Sequence, residues 1–377
     1  MGGLPPITDQ EWHRCQKAIQ EHKGNITLAA GSIGVKRQTL QSRILTQRAR
    51  KMMPDGLPLD GYNVKGTSTL YDSEGEIKAT WVKTNVDQAR QEEIVRETIA
   101  ALAEAIKPIK PAASPKESTD DLCVNYIIGD AHIGLYSWAP ETGSDFDIKI
   151  ACQDLAAAAD RLVASAPASK EAMIVQLGDF YHIDDSRNIT PRGGNQLDVD
   201  SRFPKVIRAG IDTLRHMIDR ALRKHALVRV RNVAGNHDPH AAIALTEALR
   251  GYYINEPRVV IEDSPRAFWH FRFGSNLIGI THGHFGKPER YPGILAVDAQ
   301  KDWGECEFRY VWHGHIHTRR AFEDMGVITE SFRTLAARDA WHTEMGYRSG
   351  REMQAIVLHK DFGEIERHTA GLRRVRT

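Results

Sequence analysis

From Leu122 onward the chain alternates short apolar runs with abrupt polar stops. Five such runs stand out: "CVNYIIGDAH", "AMIVQLGDF", "LVRVRNVAGNHD", "LIGITHGH" and "YVWHGHIH". Between the first three lie long segments with helical spacing, Ile148 to Ser165 and Pro204 to His225. Short, nearly continuous apolar runs alternating with helices predict strands buried on both faces. The pattern therefore predicts an α/β fold, a β-sandwich flanked by helices. In such sheets the polar residues at the carboxyl ends of the strands form the site.

The first 120 residues read differently. Thr8 to Glu11 (T-D-Q-E) fits a capping box that starts a helix running to about His22. Gly24 to Gln47 predicts two short helices around a turn at Gly34, with Asn25 as the cap of the first. Ala29 and Ala30 give that helix a slim face, and Val35, Leu40 and Ile44 supply the buried side of the second. After the break "MMPDGLPLDG", Tyr62 to Thr84 alternates around "DSEG" and predicts a β-hairpin. Asn85 to Lys107 predicts a helix, and Lys107 to Asp120, rich in Pro, Lys and Ser, a linker. The expected organisation is an all-α module at 1–53, a hairpin plus helix at 60–106, a linker at 107–120 and the α/β domain at 121–377.

Charge modifies this picture locally. The 377 residues carry a formal net charge of only +1, which gives no bulk attraction to nucleic acid. Residues 1–50, however, hold eight bases against three acids. A basic module on a near-neutral body is a nucleic-acid signal. The four cysteines are far apart and form no CxxC pair, which points away from a zinc knuckle or a disulfide framework. The start "MGGLPPITDQEW" has neither a basic n-region nor an apolar h-region, and no apolar run approaches the ~20 residues of a membrane span. A soluble cytoplasmic protein without membrane contact is expected.

The five strand ends carry the chemistry. They deliver Asp130-x-His132, Gly178-Asp179, Gly235-Asn236-His237-Asp238, His282-Gly283-His284 and Gly314-His315-Ile316-His317. Imidazoles are poor core filler because both ring nitrogens need partners. Yet "WHGHIHT" places three of them in seven residues. On an extended strand, positions two apart share a side, so His315 and His317 are expected to aim at one point, joined by His313 if the strand reaches that far back. Carboxylates, imidazoles and one amide oxygen suit a pair of borderline divalent metals, manganese first, with iron(II) or zinc as alternatives. Glycines before Asp179, Asn236 and His315 are expected to relieve crowding where the chain turns.

These residues resemble the calcineurin-like metallophosphoesterase superfamily, whose pattern is DxH, GD, GNH(D/E), H and GHxH. The resemblance spans about Leu122 to His317. It implies Asp130, His132, Asp179 and His317 on one metal, and Asp179, Asn236, His282 and His315 on the other. It implies His237 facing the scissile phosphate with Asp238 orienting it, and hydrolysis by a hydroxide bridging the two ions. His284 and His313 lie outside the pattern and are candidates for substrate contact or for support of the ligands.

The substrate class rests on finer features. "GDFYHIDDSRN" lacks the DRG of protein phosphatases, and His182, three residues past Asp179, resembles the nuclease subunit of the double-strand-break repair complex. "GNITLAAGSIGVKRQTLQSRI" resembles a Fis-type helix-turn-helix, which would present Lys36, Arg37, Gln38, Thr39, Gln41 and Arg43 to DNA. The long loop from Asn188 to Lys205, with Arg187 and Arg192, is a further candidate for phosphate contact, or a lid held by Asp198 and Asp200. The whole layout resembles phage- and prophage-encoded metallophosphoesterases. The leading expectation is a dimetal phosphodiesterase acting on nucleic acid, DNA in particular. The alternatives are a phosphomonoesterase or protein phosphatase, and a DNA-binding regulator with a residual phosphoesterase domain. Assembly into a homo-oligomer is left open.

Overall fold

The computed structural model describes residues 9–41, 43–44, 62–71, 77–86, 113, 115 and 118–377. The chain divides into two compact units, Met1–Ala100 and Ala101–Thr377. Asn85 and Val86, expected to begin a helix, instead end the second strand of the hairpin, and the rest of that helix, most of the linker, Thr8 of the capping box and the "DSEG" turn lie outside the described residues.

In the first unit, α1 (Asp9–Glu21) and α2 (Ile26–Ser32) are followed by helical residues at 37–41 and 43–44. Asn25 caps α2 as expected, its Oδ1 accepting the N–H groups of Thr27 and Leu28, both at 3.2 Å. Gly34 makes the turn with φ +72°, a conformation that costs a residue with a Cβ. Cys15, Ala18, Ala29, Ala30 and Leu40 form a small buried core. Alanines at the α2 contact let the helices approach closely. β1 (Tyr62–Tyr71) and β2 (Ile77–Val86) pair antiparallel, as the alternation predicts.

The second unit is a sandwich of two mixed sheets. Its strands are β3 (Thr119–Ile128), β4 (Ser169–Gln176), β5 (Leu227–Asn232), β6 (Val259–Glu262), β7 (Trp269–Phe273), β8 (Asn276–Ile280), β9 (Phe308–His313), β10 (Arg320–Asp324), β11 (Val327–Ser331), β12 (Glu352–His359) and β13 (Gly363–Gly371). One sheet has the order β13-β12-β3-β4-β5-β6, the other β10-β11-β9-β8-β7. The strands that matter for the site, β3, β4 and β5 in one sheet and β8 and β9 in the other, run parallel to their neighbours in that set.

Side-chain alternation explains the layering. Val124, Tyr126 and Ile128 of β3 and Ala172 and Ile174 of β4 face a core shared with α3 (Ile148–Ser165), α4 (Phe203–Leu222) and α5 (Ala241–Tyr252). Their neighbours Ile127, Met173 and Val175 face the other way, against Ile278, Ile280, Tyr310 and Trp312 of the second sheet. Leu277 and Val311 point out again, toward Tyr291 and Leu295 of α6 (Tyr291–Asp298). The result is four layers, helix–sheet–sheet–helix. In α4, Val206, Ile207, Ile211, Leu214, Met217 and Ile218 are buried at helical spacing. Each such side chain is worth ~1.5–3 kcal/mol of burial. Gly210 of α4 has no Cβ where one would lie 2.2 Å from the Tyr181 ring. Tyr181 therefore reaches the helix and donates to the Ile207 carbonyl at 3.0 Å, which anchors the loop after β4.

Candidate dimetal centre

Register sets the site. Ile128, Gln176 and Asn232 are aligned across β3, β4 and β5, and Ile280 is level with Trp312 across β8 and β9. All five loops thus leave their sheets at matching levels. They are then stitched together by backbone bonds: His132 N–H to the Asp179 carbonyl at 3.0 Å, His182 N–H to Ile133 at 3.0 Å, and Gly314 N–H to His282 at 3.0 Å. His132, Asp179, His315 and His317 all have positive φ, between 45° and 70°. Four left-handed non-glycine residues at one locus mark a strained, over-determined site.

The side chains form two adjacent Asp/His donor groups, Asp130 with His132 and His317, and Asp179 with His282 and His315, and His132 also lies within reach of a third, all-imidazole group with His182 and His237. His132 Nε2 lies 3.1 Å from His317 Nε2, and His317 Nε2 lies 3.6 Å from Asp130 Oδ1. His282 Nε2 is 3.2 Å from Asp179 Oδ2 and 3.0 Å from Asn236 Oδ1. All seven residues expected as ligands therefore converge. His315 and His317 do not share a point, however. β9 ends at His313, and the positive φ values beyond it send His317 to one group and His315 to the other.

The electrostatics set buried carboxylates against imidazoles. Asp130 and Asp179 are buried, which by itself raises a carboxyl pKa, yet the histidines around them hold both below the ordinary carboxylate range. Burial disfavours a charged His282 ring, but the carboxylates of Asp179 and Asp130 outweigh it and hold the pKa up to about 10. Two buried anions thus need positive charge beside them. Burial and neighbouring histidines keep His132 and His315 neutral, the form that donates to a metal.

The glycines are dictated by proximity. A Cβ on Gly235 would lie 2.0 Å from Asp179 Oδ1, on Gly314 2.5 Å from Asp130 Oδ2, and on Gly178 2.3 Å from His282 Nδ1. Gly235→Ala is accordingly expected to displace the Asp179 loop and cost roughly 1–3 kcal/mol of stability, with metal content falling in parallel. Gly293→Ala, in a helix and with nothing within 4 Å, should leave metal content unchanged and stability the same or slightly higher. Thermal melts and metal analysis of the two variants check this, and a silent Gly235→Ala would refute the close-approach explanation.

His237 and His182 sit beside the first donor group, their rings stacked at 5.2 Å and 21°. His237 N–H donates to Asp179 Oδ1 at 2.8 Å, and its Nδ1 bonds the His182 carbonyl at 3.0 Å. The expectation that Asp238 orients the His237 ring is corrected. Asp238 is buried and accepts the backbone N–H groups of Asp179, Tyr181 and Gly235 at 3.2, 3.0 and 2.9 Å. It ties the loops after β4 and β5 together, while a carbonyl fixes His237. His182 is buried, its Nδ1 lies 3.2 Å from His132 Nδ1, and its Nε2 has no partner among the described residues. Burial, then the nearby His237, pull its pKa down to about 3.

The remaining candidates separate. His313 is buried in β9, packed edge-on against Tyr291 with Nδ1 on the Gly314 carbonyl, so substrate contact by its side chain is corrected to a packing role. His284 lies at the rim, its ring 6.2 Å from that of His315. Arg192 is exposed, and Arg187 is held by Asp185. Asp200 accepts the Ile148 N–H at 3.1 Å and so fastens the loop to the start of α3. Of the DNA-contact candidates, Lys36, Arg37, Gln38 and Gln41 are exposed, while Thr39 and Arg43 are half-buried. Sequence reasoning missed His342. Its ring stacks on His317 at 5.0 Å and 16°, and its Nδ1 bonds Asp339 Oδ1 at 2.7 Å. The helix-capping pattern D-x-x-H was the available signal.

No helix among the described residues is long and apolar enough to cross a membrane. No family model matches the sequence, and no curated protein matches it. Among solved structures, the chain is similar to a predicted phosphoesterase from Streptococcus pneumoniae (13% identity, 66% of this chain and 98% of that one, TM-score 0.27). It is also similar to an archaeal phosphodiesterase (14%, 66% and 99%, TM-score 0.34) and to zinc-complexed Vps29 from Entamoeba histolytica (12%, 66% and 99%, TM-score 0.28). Likenesses at these identities and TM-scores decide neither activity nor substrate, which must come from the side chains.

Proposed function

We propose that this protein is a dimetal phosphodiesterase of the calcineurin-like type that acts on nucleic acid, DNA in particular. The observation that carries this reading is the pair of adjacent Asp/His donor groups with the stacked His237–His182 pair beside them. Asp130, His132, Asp179 and His317 would hold one divalent ion, and Asp179, Asn236, His282 and His315 the other. The mixed oxygen and imidazole set fits manganese, iron(II) or zinc. When bound, such a pair supplies a water acidic enough to ionise near neutral pH and neutralises charge on the phosphate.

The chain's own residues do the rest. Asp179 joins the two groups, and its Oδ1 also holds the His237 backbone. With Nδ1 of His237 committed to the His182 carbonyl, Nε2 is the ring atom left to deliver a proton to the leaving oxygen. His182, buried with an unpartnered Nε2, stacks on that ring, and we assign it to cleavage of a polynucleotide through this contact with His237. The exposed cations Lys36 and Arg37 at the start of the helix after Gly34 support a DNA-reading role for the N-terminal unit.

A panel of linear duplex, single strand, nitrophenyl phosphate and bis-nitrophenyl phosphate with added Mn²⁺ tests the reading. Both diester classes should be hydrolysed, the small diester at least roughly tenfold faster than the monoester, a difference of about 1.4 kcal/mol. Preference for the monoester with no polynucleotide cleavage would return the protein to the phosphatase alternative.

A further inference from the structure

A cavity of about 290 Å³ opens beside His317, a residue of the first donor group. Arg338, Arg348 and Arg351 line it. A second, wider cavity of about 410 Å³ shares Ser349, Gly350 and Arg351 with it and continues to Arg373 and Arg374. Among the described residues, no carboxylate lines either one. The arginines are fixed mainly by backbone carbonyls. Arg338 donates to Tyr347 at 3.0 Å and Thr142 at 3.1 Å, Arg348 to Tyr347 at 2.7 Å and Thr343 at 3.2 Å, and Arg351 Nε to Leu335 at 2.8 Å. Carbonyls orient a guanidinium without cancelling its charge. The carboxylate beside Arg351, Asp154 at 3.6 Å, already holds Arg376 through two bonds of 2.9 and 2.7 Å. Burial pulls the Arg351 pKa down to about 10, against the opposing pull of Asp154 and with Arg376 and Arg338 adding to it. Trp341 is 54% exposed, its ring 5.8 Å from that of Tyr347, which lines the first cavity.

Fixed cations with little counter-charge, succeeding one another over two connected cavities, suit a row of phosphates better than a single one. Exposed aromatic faces beside them suit unpaired bases, which stack on any such surface. We infer that a single-stranded polynucleotide bound at the metal centre runs past His317 along this arginine-lined path to the end of the chain, and that the path sets a preference for long substrates over small diesters. This rests on the phosphodiesterase reading and deepens it by assigning the strand a route.

The test uses the full-length protein with Mn²⁺ and three substrates: bis-nitrophenyl phosphate, a thymidine dinucleotide, and a single-stranded oligothymidylate of roughly twenty nucleotides, enough to exceed one binding path. Arg373 and Arg374 are exposed on the last helical turn, Leu372–Val375, so Arg373→Ala/Arg374→Ala should fold normally. This double variant is expected to raise the KM for the oligonucleotide on the order of tenfold with kcat unchanged. The salt slope of log kcat/KM should shrink by roughly 0.7 for each phosphate the variant no longer neutralises. Rates on the dinucleotide and the small diester should not move, and Arg373→Lys/Arg374→Lys should keep most of the affinity. An unchanged oligonucleotide KM and salt slope overturn the path, as does an equal loss on dinucleotide and oligonucleotide. Those results need a wild type that cleaves the oligonucleotide. A wild type that hydrolyses only the small diester removes the nucleic-acid reading and the path together, and one that hydrolyses no diester removes the phosphodiesterase reading itself.

Discussion

Replacing Asp179 with Asn is expected to lower diester hydrolysis by roughly 10²–10³-fold, the scale seen when one preorganised electrostatic partner is lost. Metal content should fall with it, while the fold survives. Asp179 belongs to the second donor group, and its backbone carbonyl accepts the N–H of His132 from the first at 3.0 Å. Its Oδ1 accepts the His237 N–H at 2.8 Å, and its Oδ2 lies 3.2 Å from His282 Nε2. Asparagine has the same size and keeps one oxygen to accept the His237 N–H, so the loop between β4 and the metal site should hold its path. What asparagine lacks is the negative charge and the second oxygen. Burial makes that charge costly, and the surrounding histidines keep it in place nonetheless. A buried anion needs positive charge beside it, which the His282 ring supplies here and which the proposed metal ions would supply in its place. Metal analysis, a thermal melt and rates on the small diester separate loss of function from loss of fold. Full turnover with two equivalents of metal would end the dimetal reading.

How far the sequence carried can be judged residue by residue. The strands were legible because each alternates between two apolar environments, as Val124 and Ile127 or Ala172 and Met173 do. The seven donor residues were legible because parallel strands in register must release their loops at one level. What escaped were partners that leave no side-chain pattern. The group that fixes the His237 ring is a backbone carbonyl 55 positions away, and no spacing rule reveals a carbonyl. Asp238 looked like an orienter because it follows His237, but the backbone N–H groups it satisfies come mostly from another strand's loop. The rule that positions two apart share a side failed for His315 and His317 because it holds only on a strand, and β9 stops at His313. The arginine-lined cavities were invisible for a related reason. Arg338, Arg351 and Arg374 are spaced irregularly along the sequence and meet only through the packing of the last strands on α3.

Substitution of His182 and of His237 is expected to give two different signatures, and their comparison weighs the nuclease reading most directly. Neither ring belongs to the two Asp/His donor groups assigned to the metals. His237→Ala should therefore retain metal and slow every phosphoester by a similar factor, on the order of 10²–10⁴, as loss of a general acid does. His182 is the more buried of the two rings, stacked at 5.2 Å on the half-buried His237, with Nε2 unpartnered among the described residues. Its loss should cost cleavage of single-stranded DNA far more than cleavage of bis-nitrophenyl phosphate, whose leaving group departs without a proton. The same ring, however, touches His132 through Nδ1 at 3.2 Å, and a contact of that kind is how ligand histidines are oriented. The two roles predict different pairs of measurements. A residue that acts on the polynucleotide changes the ratio of DNA to small-diester rates and leaves metal content alone. A residue that only supports His132 lowers both rates together and lowers metal content with them. His182→Asn sharpens the distinction, since its amide sits where Nδ1 was and can restore a hydrogen bond to His132 but carries no titratable proton. Recovery of both rates in His182→Asn would assign His182 to support of the ligand, and the choice of DNA would then rest on the N-terminal helices and the arginine path.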